Sequence, residues 1–214
     1  MPGQTVSLTV ENEDIRRLID DLQDIRNGVP RALSSGVNRV LSGTRTDMAR
    51  ETYKQLALKK KRILKDIWIA KEASPSDPTG IVMTEGRPIN LSQYNASEVK
   101  KGLKVRIYRN EPRKLIKHAF LAKVKNPDNE IYELAFWRKN EEGHVGTRRR
   151  KPWMRYGKLP REYRLPVKDL WGPRIQDITA KEEVLGRIEE SSRQRLKTEL
   201  ARQADRLLKR AKRT

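Results

Sequence analysis

The 214-residue sequence predicts an α+β fold: an N-terminal strand and helices, a central antiparallel sheet containing a hairpin, and a long C-terminal helix. Three observations predict it. Thr5 to Val10 and Lys104 to Arg109 alternate polar and apolar residues with the period of a strand. Ile15 to Ile25 and Val184 to Ala211 repeat apolar residues at helical spacing. The strand signals also cluster in the middle of the chain, whereas a doubly wound sheet would alternate strands with helices. The expectation is one domain over residues 1–214, with a basic irregular loop at about 139–164.

In chain order, Thr5-Val6-Ser7-Leu8-Thr9-Val10 reads as a half-buried strand. Asn12 suits a helix N-cap, Glu13 and Asp14 suit the positive end of the helix dipole, and Ile15, Leu18, Ile19, Leu22 and Ile25 make one stripe. Pro30 opens a second helix that carries Leu33, Val37, Val40, Leu41 and Met48 and reaches about Gln55. Gly36 and Gly43 should weaken its centre by about 1 kcal/mol each relative to Ala. Leu58 to Ile67 predicts a short third helix, apolar at Ile63, Leu64 and Ile67 and cationic elsewhere. Pro75 and Pro78 mark a loop, followed by extended pieces at Gly80 to Thr84 and Pro88 to Leu91. Lys104 to Arg109 and Ile116 to Val124 are strands, the second placing Ile116, His118, Phe120, Ala122 and Val124 on one face. Ile131 to Trp137 is a third, and Asn126-Pro127-Asp128-Asn129 makes it a hairpin with the second. After the loop with Arg148-Arg149-Arg150-Lys151, Thr179 to Lys212 contains no helix breaker except Gly186.

Composition narrows the function classes. Lys plus Arg number 48 against 28 Asp plus Glu, a net charge of +20, and there is no cysteine. That excludes a disulfide scaffold, a thiolate zinc site and a cysteine nucleophile. Leu, Ile, Val and Phe make up 23% of the chain, enough for a thin core. No apolar run approaches the roughly 18 residues of a membrane span, and Met1-Pro2-Gly3-Gln4 has no signal-peptide pattern, so a soluble protein made in the cytoplasm, without membrane contact, is expected.

The charge is uneven. Residues 45–74 carry +5, 98–125 carry +8, 148–164 carry +7 and 193–214 carry +7, with neutral or acidic stretches between them. Four such blocks in one protein repel one another, which favours a polyanion or an acidic neighbour facing them over a simply solvated surface.

Catalysis finds no support. His118 and His144 are the only histidines and neither has a partner at ligand spacing. Phosphate-loop, zinc-protease, nucleophile-elbow and dinucleotide motifs are absent from the sequence. Glu141-Glu142, Glu182-Glu183 and Glu189-Glu190 are adjacent pairs, and adjacent side chains diverge on a helix. The expectation is a protein with no catalytic residue, no metal site and no cofactor; a metal-dependent nuclease is the enzyme class this disfavours most directly. Aromatic residues do interleave with the basic blocks: Trp68, Tyr108, Trp153 and Tyr156. Such a mixture neutralises phosphates and stacks bases, but it is equally the composition of a protein interface. Any DNA contact would be to the backbone, without sequence readout.

Ala49-Arg50-Glu51-Thr52, the basic Leu58 to Ile67 segment, Lys100-Lys101-Gly102-Leu103-Lys104-Val105 leading into a hairpin, Pro166-Val167 and the basic C-terminal helix occur in a telling order. That order resembles the minor tail protein Z family of long-tailed phages and prophages, over roughly residues 30–135 and 165–214. The segment 139–164 departs most from the family pattern. The resemblance implies a structural virion protein that completes the head-proximal end of the tail and supports head-tail joining around the genome channel, after assembly in the host cytoplasm. It implies a homo-oligomeric ring, sixfold like the tail tube, next to tail-tube or tail-terminator proteins on one side and head-completion or connector proteins on the other. Six copies at +20 each would place about +120 around the channel. Candidate contacts to DNA or an acidic partner are Lys59, Lys60, Lys61, Arg62, Arg148, Arg149, Arg150 and Lys151. Trp171, Leu196, Leu200, Leu207 and Leu208 are candidates for a subunit interface or for packing. The alternative is a free nucleic-acid-binding protein without sequence preference, which the basic blocks would also serve.

Overall fold

The computed structural model describes residues 4–7, 12–22, 25, 27–125, 130–138 and 167–212. The chain forms two units, one of Met1–Gln55, Lys59–Arg87 and Pro173–Thr214, the other of Leu56–Leu58 and Pro88–Gly172.

The first unit contains β1 (Gln4–Ser7), α1 (Asn12–Leu22), α2 (Gly28–Gln55), α3 (Lys60–Lys65), β2 (Ile67–Lys71), β3 (Ile81–Thr84), α4 (Ile175–Thr179) and α5 (Glu182–Ala211). Its strands make an antiparallel sheet in the order β1-β3-β2, with both Thr5 and Trp68 opposite Met83. Helix α2 is the centre of this unit because it is apolar on more than one side. Val37, Val40, Leu41, Met48 and Ala49 have no solvent exposure. On the sheet side, Gly80 lies so close that a Cβ there would sit 2.6 Å from Leu41 and 2.8 Å from Val37. Asn38 adds a two-way clamp, accepting from the Ala73 N–H at 2.7 Å and donating to the Ala73 carbonyl at 2.8 Å. Below it, Lys71 pairs with Asp77, and with the further hydrogen bonds from Thr79 this lowers the Asp77 pKa to about 2.

On its other side α2 packs antiparallel against α5. Gly36 meets Leu200, the Thr44 and Ser192 hydroxyls share a buried hydrogen bond of 2.8 Å, and Arg187 reaches Glu51 at 3.5 Å. Gly36 and Gly43 thus do more than weaken the helix. A Cβ at Gly36 would lie 2.8 Å from Leu200, and one at Gly43 would lie 2.1 Å from the Arg195 guanidinium, so both glycines are points of close approach. Val184, Ile188, Leu196, Leu200 and Ala204 supply the buried stripe of α5, and Leu18 and Leu22 of α1 are buried on the α1 helix that packs against it. The predicted C-terminal helix is real but begins later than Thr179: α4 ends there, Lys181 is extended at φ −63° and ψ 131°, and α5 starts at Glu182.

The second unit contains β4 (Ile89–Asn90), a 3-10 turn (Leu91–Gln93), β5 (Ser97–Val99), β6 (Gly102–Val105), β7 (Lys114–Lys117), β8 (Ala119–Lys125), β9 (Ile131–Arg138), β10 (Val167–Asp169) and β11 (Trp171–Gly172). The antiparallel pairing expected for the middle of the chain is distributed over three small sheets, β5-β6-β7, β10-β9-β8 and β11-β4. The β8–β9 hairpin is present, pairing Ala119 with Trp137 through to Lys125 with Ile131, while its turn at 126–129 lies outside the described residues. Phe120 and Phe136 stack across it at 5.9 Å.

Two strand predictions need correction. The run Lys104 to Arg109 leaves the sheet at Val105, and Tyr108 pairs with Leu56 as an isolated bridge outside the strands. Arg109 explains the departure: its guanidinium donates to the Leu56 carbonyl at 3.0 Å and the Leu58 carbonyl at 3.3 Å, fastening this turn to the strand-free segment beside it. Ile116 to Val124 is also not one strand. His118 adopts φ +65°, which splits it into β7 and β8, in different sheets, and leaves His118 exposed. Histidine is among the side chains that enter this left-handed region more readily than most. The unit's core comprises Leu56, Leu58, Ile89, Leu91, Tyr94, Leu103, Val105, Ala119 and Ala135. Buried Asn90 organises it, accepting from the N–H groups of Ala135 at 2.7 Å and Ser92 at 3.0 Å.

Candidate functional site

The predicted basic contact starts at Lys59, extended at φ −71° and ψ 137°, which leads into α3. Ile63 and Ile67 are fully buried and seat the helix and the strand after it. Arg45 of α2 then ties down the far end, donating to the Ile67 carbonyl at 2.8 Å and the Leu64 carbonyl at 3.2 Å, where the last carbonyls of a helix lack intrahelical partners. Arg62 is half-buried and bonded to Asp66 at 2.7 Å, so it belongs to this anchoring. Lys59, Lys60 and Lys61 remain exposed, and no carboxylate among the described residues pairs with them. The four predicted residues therefore separate into three surface ammonium groups and one structural guanidinium. Arg148, Arg149, Arg150 and Lys151 lie outside the described residues, as do the whole 139–164 segment and His144.

The residues expected to serve a subunit interface or packing also separate. Leu196 and Leu200 are 3% and 2% exposed in the α2–α5 contact, so they pack within their own unit. Leu207 and Leu208 are half-buried near the end of α5. Trp171 is 53% exposed on β11, whose backbone pairs with Asn90 of β4. The α2–α5 contact carries a polar seam as well: buried Asp47 accepts from Ser191 at 3.0 Å and is paired with Arg195 at 2.8 Å and with Arg50 at 3.2 Å. Lys181 donates to Gln55 at 3.0 Å further along. At the start of α4, the Arg174 guanidinium holds Asp177 below the usual carboxylate range, mainly through hydrogen bonds of 2.8 and 3.2 Å. The Asp47–Ser191 and Asp47–Arg195 contacts tie α2 to α5.

One cluster was missed by sequence reasoning. In the second unit the turn between β5 and β6 and the break between β7 and β8 sit against each other, lining a groove of about 820 Å³ with Glu98, Val99, Lys100, Lys101, Lys117, His118 and Phe120. The His118 N–H donates to the Lys101 carbonyl at 3.1 Å. Gly102, at φ +145°, makes the close approach possible, since a Cβ there would lie 2.1 Å from the Ile116 carbonyl oxygen. Lys100, Lys101, Lys117 and His118 are all exposed at this rim. The signal available in the sequence was the +8 of residues 98–125, the most basic block, but not which of its members would meet.

Among the described residues, no three His, Asp or Glu side chains gather as a metal site requires, and no helix is long and apolar enough to cross a membrane. No curated protein and no solved structure matches the chain. A family model does, that of prophage minor tail protein Z (GPZ), over residues 14–213. The match runs from α1 through both units into the last residues of the C-terminal helix. The chain belongs to the prophage minor tail protein Z family and is a structural protein of the phage tail, carried in the virion.

Proposed function

We propose that this protein completes the head-proximal end of the tail and supports joining of the tail to the head around the genome channel, acting by assembly and without catalysis. The observation that carries the reading is the family match along residues 14–213, which supports a structural role in the tail. The working form is a ring of identical copies, sixfold like the tube it closes, between tail-tube or tail-terminator proteins and head-completion or connector proteins. Exposed Trp171 serves contact between copies or with a neighbour, a role that suits a large amphipathic ring left in solvent. Lys59, Lys60 and Lys61 face DNA or an acidic neighbour, and Arg148, Arg149, Arg150 and Lys151 are assigned the same role from the sequence.

The test is position. Antibody raised to the protein and coupled to gold is expected to mark finished virions at the junction of head and tail. Label at the distal tip of the tail would overturn the reading. Absence from virions, with the protein free in the lysate on DNA, would replace it with the nucleic-acid-binding alternative.

A further inference from the structure

We propose that the groove of the second unit formed by Lys100, Lys101, Lys117 and His118 is a binding site for the phosphodiester backbone of DNA. The inference deepens the reading that the genome passes this protein, and rests on it. Two independent features point to a ligand here.

The first is charge without internal partners. Three lysines reach the rim of one groove, and no carboxylate among the described residues pairs with any of them. Glu98, the one carboxylate among the described lining residues, takes the Leu121 N–H on one oxygen at 2.6 Å, which fixes it to β8. The second is backbone conformation. His118 at φ +65° and Gly102 at φ +145° lie on the two segments that meet, and the His118 N–H to Lys101 carbonyl bond holds them together. Positive φ at a non-glycine residue costs of order 1–3 kcal/mol and persists where the surrounding structure enforces it, often at binding sites. Here the strained residue bonds to Lys101 and directly follows Lys117, which pairs with Gly102 at the end of the Lys100-Lys101 turn.

The donor chemistry selects the ligand class. Three ammonium groups along one groove complement the dense, regular negative charge of a duplex backbone, and each can meet a phosphate oxygen in any orientation. Arg109 of the same basic block serves the fold, on the Leu56 and Leu58 carbonyls, whereas Lys100, Lys101 and Lys117 line the groove. Contact would be independent of base sequence, as passage of a genome requires.

The full-length protein is titrated with a fluorescein-labelled 20-base-pair duplex over a range of salt, and compared with the triple variant K100Q/K101Q/K117Q. Each lost phosphate contact removes about 0.9 from the slope of log affinity against log salt, so a drop of about 2 to 3 is expected, with binding at low salt weakened at least about tenfold. Because these side chains are exposed, the melting temperature of the variant is expected to match the parent. A charge-matched control, R206Q/K209Q/K212Q at the end of α5, is expected to lose clearly less. Unchanged affinity and slope in the groove variant would overturn the proposal, as would an equal loss in the control. Displacement of the duplex by polyglutamate at equal charge would also overturn it, in favour of an acidic protein partner. Failure of any of these arms with gold label still at the head-tail junction would remove the DNA groove and leave the assembly reading standing.

Discussion

Gly102→Ala is expected to destabilise the second unit by about 3–5 kcal/mol, combining backbone strain with a steric clash. At φ +145° an L side chain is strained whatever space surrounds it, and the new methyl would lie 2.1 Å from the Ile116 carbonyl oxygen and 2.9 Å from the His118 nitrogen. Those atoms are backbone and have no rotamer to change. Relief requires separation of β6 from β7, where Gly102 pairs with Lys117. Hydrogen exchange is the informative measurement. Amides of β6 and β7 are expected to lose protection while those in the middle of α2 and α5 keep it, since their contacts involve other residues. Unchanged protection at Leu103 and Ile116 would mean that this approach is looser than the geometry gives.

The second large effect is at the α2–α5 contact. Leu200→Ala is expected to cost about 3 kcal/mol, within the usual range for a buried leucine whose cavity only partly collapses. Gly36→Ala places a methyl 2.8 Å from the end of the Leu200 side chain; crowding of about 1–3 kcal/mol is offset by roughly 1 kcal/mol of better helix propensity. The double variant is the decisive arm. Its methyl enters the space that Leu200 vacates, so the sum of the single effects should be undercut by about 1–2 kcal/mol in denaturant titrations. Strict additivity would deny the contact. The cycle also bears on function, because a loss of tail activity in Leu200→Ala is then expected to follow the loss of folded protein.

Long helices and the antiparallel centre were readable because their apolar periodicity persists over many residues, as with Val37, Val40 and Leu41 in α2 or Ile188, Leu196 and Leu200 in α5. Local breaks were less readable. The stretch Ala180-Lys181 contains neither proline nor glycine, yet the chain turns there between α4 and α5. His118 preserves the alternation on both sides of it, so period alone cannot distinguish one strand from two in different sheets. Helix propensity at Gly36 and Gly43 is a property of one helix, whereas their close contacts belong to two. The basic residues show the same division. Charge counts found the blocks, but only the fold separates Arg62, Arg45 and Arg109, which bind the chain's own carboxylate and carbonyls, from Lys59 to Lys61 and the groove lysines, which do not. Leu196 and Leu200, read as candidates for a subunit interface or for packing, are buried within their own unit, and a buried stripe looks identical in sequence whether its partner is in the same chain or another.

On the proposed function, this protein finishes a tail by assembly so that a head can join it. Mixing purified components tests it most directly: tails made without the protein, DNA-filled heads, and the full-length protein added back, with infectious particles counted. Full-length tails are expected that fail to join heads alone and become joined and infectious when the protein is supplied. Tails that join heads equally well without it, or that are absent or abnormally short until it is supplied, would overturn this function.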